Sequence, residues 1–159
     1  MTNELRAFIE ASRECLKHCE KMLEGEREKR KALVVSDAEK IEAALKTQQA
    51  SAMQLENLER KRIDAQNAAG YSNRTASEII AEVTDPEAAR ELNDIYVKWK
   101  ATVAEIKDYN EKSMELATAN LKLYEALVSG PVNETKSPTY GPKGHKGTNS
   151  PNSSFEEKI

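Results

Sequence analysis

Aromatic side chains make up only 5% of this 159-residue chain, and four of its six glycines and four of its five prolines fall in the last 30 residues. A chain this poor in large rings builds a thin core, which favours packed helices over a thick-cored sheet protein. No apolar run is long enough to span a bilayer, and a basic-then-apolar leader is absent, so the expectation is a cytosolic protein with no membrane insertion. The two cysteines, Cys15 and Cys19, stand four residues apart and are read as buried thiols rather than a disulfide framework. Neither sign of charge dominates: 24 Lys and Arg face 27 Asp and Glu, a net charge of -3. Without a basic field, nucleic acid is not an expected partner.

Catalytic and cofactor signatures are equally scarce. Cys15, His18 and Cys19 share one side of a helix, but a tetrahedral site needs a fourth ligand and none stands near in sequence, so no metal is assigned. The stretch TYGPKGHKG has glycines and lysines without the phosphate-binding loop or its preceding strand. Carboxylates are abundant, as polar helix faces require, and nothing places a pair of them in a closed pocket. The chain therefore reads as non-enzymatic, with no catalytic residue and no cofactor.

Heptad spacing is what the sequence does contain. From Pro86 to Val128 there is no internal proline or glycine, and Leu92, Ile95, Trp99, Thr102, Ile106, Tyr109, Ser113, Leu116, Asn120, Leu123 and Leu127 alternate by three and four residues. This predicts a helix of roughly 60 Å with one stripe that requires a partner. A first helix starts within the first few residues, with Thr2 or Asn3 as cap, and ends near Leu33 or Val35; Gly25 allows a bend. SDAE at 36–39 reads as a capping box on Ser36, opening a second helix that runs to about Ala69, with Gly70 as its stop. Tyr71 to Thr84 is a connector with room for one short helix, and Asp85-Pro86 opens the long one.

The expected fold is all-α: an elongated antiparallel three-helix bundle or coiled coil with a short connecting helix. It divides into a helical domain, 1–129, and a flexible tail, 130–159, whose composition predicts disorder. Within the long helix, Ile95, Trp99 and Ile106 are expected to hold the bundle together. The distal half, from Tyr109 to Leu127, stands beside the tail and is the candidate binding segment. Leu116, Leu123, Tyr124 and Leu127 form a broad apolar surface suited to a partner helix, to the bundle's own core or to self-association. Asn110 and Asn120 are polar interruptions that set a register or meet a partner backbone. Arg62 reads as solvated or paired with a carboxylate, and Tyr140 and Phe155 are isolated tail aromatics.

Three segments together resemble the FlgN-type flagellar export chaperones. They are LRAFIEASRECLKHCEKML in the first helix, SDAEKIEAALKTQQASAMQLENLERKR in the second, and EIKDYNEKSMELATANLKLYEAL in the third, followed by a tail bearing YGPKG. The family's recurring positions fall on Asp37, Arg62, Asn110 and Asn120, and on Tyr140 and Gly144 in the tail. The Gly/Pro-rich length of the tail and the Cys15/Cys19 pair depart from the family pattern. The resemblance implies a cytosolic chaperone that binds the termini of flagellar hook-associated (hook-filament junction) proteins and delivers them to the export machinery. Its implied partner contacts are Asn110, Leu116, Asn120, Leu123, Tyr124, Leu127 and Tyr140. The alternative is a homodimeric helical-bundle or coiled-coil adaptor that uses the same seam and has no flagellar client.

Overall fold

The structure, a computed structural model, describes residues 1–129 of the chain as four helices: α1 (Asn3–Val34), α2 (Ala38–Ala68), α3 (Ala76–Glu82) and α4 (Pro86–Ser129). Each start is satisfied by a side chain that the backbone needs there. Thr2 Oγ1 accepts from the Leu5 amide at 3.1 Å. Thr75 and Glu78 form a reciprocal capping box at α3, and Asp85 Oδ1 accepts from the amides of Glu87 and Ala88 at 3.1 and 3.2 Å. Gly70 ends α2 at φ +89°, the left-handed conformation expected of it. The helix α1 passes through Gly25 without interruption.

The boundary between α1 and α2 differs from the sequence expectation. Ser36 is not the cap: its φ of 53° places it in the left-handed region, where it makes the reversal. Asp37 caps α2 instead, its Oδ1 accepting from the Lys40 amide at 3.1 Å. The turn is only three residues long, and a residue bending the chain into the left-handed region cannot also hold the extended conformation that a capping residue uses.

The helix α1 lies between α2 and α4 and packs on both. It runs antiparallel to α2 and parallel to α4. The ion pairs Arg13–Glu91 and Arg27–Glu105 share the same sequence offset of 78, so α1 and α4 stay in step across two heptads. The apolar core fills the half of the bundle near Leu5 and Leu92: Phe8, Cys15, Cys19, Ile79, Leu92 and Trp99 are all essentially inaccessible. Tyr96 and Trp99 stack with centroids 5.6 Å apart. Ile95 is buried and Ile106 packs against the same cluster, as expected of the proximal stripe.

On α2 only Arg62 and Gln66 are buried, which explains the weakness of its apolar seam. Arg62 is carboxylate-paired as expected but not solvated: it gives two 3.1 Å bonds to Glu59, a 2.9 Å bond to Gln66 and a 3.2 Å bond to Tyr96. Burial works against its charge, and Glu59 together with Tyr96 and Cys15 more than offsets this, holding the pKa above its usual value. Gln66 Nε2 then donates to the carbonyls of Tyr71 and Arg74, fastening the connector.

Both cysteines are buried and neither forms a disulfide. Burial in apolar surroundings pushes each thiol up from 9.0 to about 12. The unfolded chain releases these protons from about pH 9 while the folded chain keeps them, so stability falls as pH rises between the two values. Urea midpoints measured from pH 8 to 11 are expected to decline more steeply for the wild type than for the Cys15→Ala, Cys19→Ala double variant. Parallel declines would show that the thiols are not the cause.

Candidate functional site

One heptad position of α4 records how the interface with α1 changes along its length: Leu92, Trp99, Ile106, Ser113, Asn120, Leu127. Its counterpart on α1 is Leu5, Ser12, Cys19, Glu26, Leu33. The first members on both helices are apolar and buried, with Ser12 closing on its own helix through a 2.9 Å bond to the Phe8 carbonyl. Further along, the interface turns polar. Lys29, 7% exposed, pairs with Glu26 at 2.8 Å and donates to Gln48 Oε1 at 3.0 Å and Asn110 Oδ1 at 3.3 Å. Glu26 Oε2 thus holds an ion pair without an aligned hydrogen bond, and Ser113 Oγ is buried with no hydrogen-bond partner among the described residues.

Among the described residues, the last hydrogen bond from α4 to another helix is at Asn120, whose side-chain amide donates to the Leu33 carbonyl at 3.3 Å. The same carbonyl accepts from the Ser36 amide at 3.2 Å, so the end of α1, the turn and α4 meet at one acceptor. One residue later α1 stops, at Val34, whereas α4 continues for nine residues, Leu121–Ser129, or roughly 13 Å. At 100° per residue, Leu123, Tyr124, Leu127 and Val128 lie within about 70° of the line through Ser113 and Asn120. They prolong the stripe that packs on α1, but no helix among the described residues lies beneath them. Every residue from Leu121 to Ser129 is exposed, with Leu123 at 62%, Tyr124 at 64% and Leu127 at 74%.

The structure therefore sorts the sequence candidates into two groups. Asn110 and Asn120 are half-buried and bonded to Lys29 and Leu33, and Leu116 is half-buried. Leu123, Tyr124 and Leu127 project from the overhang, and Tyr140 lies outside the described residues. Four exposed apolar residues at the same end of the molecule escaped the heptad reading: Leu121, Val128, and Val34 and Val35 at the α1–α2 turn. The stripe ignores residues beside it and those in turns. The unequal lengths of α1 and α4 leave this end uncovered among the described residues.

The arrangement offers an adhesive surface rather than reactive chemistry. His18 Nε2 donates to the Ser51 carbonyl at 2.8 Å, a link between α1 and α2, and no metal-holding group of His, Cys, Asp and Glu occurs among the described residues. Full burial of a leucine gains roughly 1.5–3 kcal/mol, so a helix laid over the overhang would recover several such terms.

Substitutions separate the two halves of α4. Leu123→Asp should shift unfolding stability by less than about 1 kcal/mol, because the side chain is already in water. Trp99→Ala should cost about 3–5 kcal/mol. Urea titrations followed by circular dichroism test this; a large loss for Leu123→Asp would assign that residue to the bundle core.

Residues 1–148 match the family model described as FlgN protein. No curated protein and no solved structure matches the chain.

Proposed function

The chain belongs to the FlgN family, whose members are chaperones with flagellar partner proteins, and on that premise we propose that it is a cytosolic export chaperone for hook-associated (hook-filament junction) proteins. The observation that carries this reading is the uncovered stripe at Leu123, Tyr124 and Leu127, in a chain whose opposite end has a closed apolar core. A client terminus laid on the stripe as an amphipathic helix would hide its own assembly surface and the chaperone's together. Ordering the client costs conformational entropy, which keeps the complex releasable before export.

In this reading residues 1–129 form the chaperone domain, and the 130–159 segment carries Tyr140 as a further contact to the client or to the export machinery. Leu116 borders the contact. Asn110 and Asn120 take part through side-chain capacity not used by Lys29 and Leu33: the amide nitrogen of Asn110 and the amide oxygen of Asn120.

Purified chain mixed with the terminal segments of the hook-associated proteins should form a 1:1 or 2:2 species by light scattering, with measurable affinity by calorimetry. Leu123→Asp should weaken that affinity by roughly tenfold or more, a loss of at least about 1.4 kcal/mol, without reducing helicity. The absence of any complex would refute the client assignment. A homodimer abolished by the same substitution, without client binding, would identify the stripe as a self-association surface.

A further inference from the structure

We infer, resting on the chaperone reading above, that the client site is composite: the client helix lies on the α4 overhang and abuts the α1–α2 turn through Val34 and Val35, occupying the place α1 would take if it continued. Val34 and Val35 are 64% and 69% exposed, and they directly follow Leu33, whose carbonyl Asn120 holds. The same bond fixes where the overhang begins, so the turn and the first uncovered turn of α4 are side by side. In the composite site the interface between α1 and α4 would continue into a surface whose floor is Leu123, Tyr124, Leu127 and Val128 and whose end wall is the valine pair, all of them exposed.

The occupant is defined by that shape. It is an amphipathic client helix of two to three turns, since the overhang is nine residues long, with apolar side chains at three- and four-residue spacing to match the stripe. Its polar face points to solvent. Lys122 and Glu125 lie on the outer side of α4, so the overhang remains amphipathic beyond the end of α1. The three-residue α1–α2 turn is too short to fold over the stripe.

The test compares three single variants in calorimetry against the same client terminal peptide. Val34→Asp and Val35→Asp should each reduce affinity by roughly tenfold, as Leu123→Asp does, while their circular dichroism melts match the wild type. Met53→Asp is the control: its side chain, on α2, is 65% exposed and outside the surface, so affinity should be unchanged. If Leu123→Asp weakens binding and both valine variants bind like the wild type, the composite site is wrong while the client reading stands. If the wild type binds no client peptide, both fail. A dimer in sedimentation that the valine variants and Leu123→Asp all dissociate would make a second copy the occupant and overturn the inference.

Discussion

The structure depends on a mismatch of length. The stripe of α4 packs on α1 only as far as Leu33, because α1 has 32 residues and α4 has 44. Up to that point the two helices run parallel and in step; beyond it the same spacing of apolar residues continues past the end of α1, exposed among the described residues. A helix of nine residues has little stability of its own, so the overhang borrows its order from the packed length of α4 behind it. An apolar surface is thereby presented on a preformed scaffold, which lowers the cost of ordering it when a partner arrives.

The interface is graded to suit that arrangement. Large apolar groups around Trp99 supply cohesion at one end, and the node of Arg62, Glu59, Gln66 and Tyr96 ties α2, α4 and the connector to them. In the middle, Lys29 is buried among Glu26, Gln48 and Asn110, which lie on three helices. Such a layer adds little net stability, but a slip of one turn would leave the charge without these partners, so it resists mispairing more strongly than an apolar contact does. Its position between the closed core and the open end keeps α4 aligned where apolar packing thins.

The helices and their sidedness could be read from the heptads, because burial follows a period that sequence displays directly. The turn was misread because Ser36 and Asp37 are both good caps on paper, and only the left-handed backbone at Ser36 decides between them. Asn110 and Asn120 were recognised as polar members of a stripe, but their partners, Lys29 and Leu33, stand 81 and 87 residues away and could not be inferred from spacing. Val34 and Val35 were missed for a related reason. A turn residue has no periodicity, and its exposure is set by the neighbour whose helix continues past it.

Family membership assigns chaperone activity, and the exposed end of α4 is the proposed place of encounter. The most direct measurement is amide hydrogen exchange along α4, with and without a client terminal peptide. The account predicts that residues 121–129 of the free protein exchange much faster than 92–106 and become protected on adding the peptide, with little change in the proximal segment. Equal and unchanged protection at both ends would contradict it.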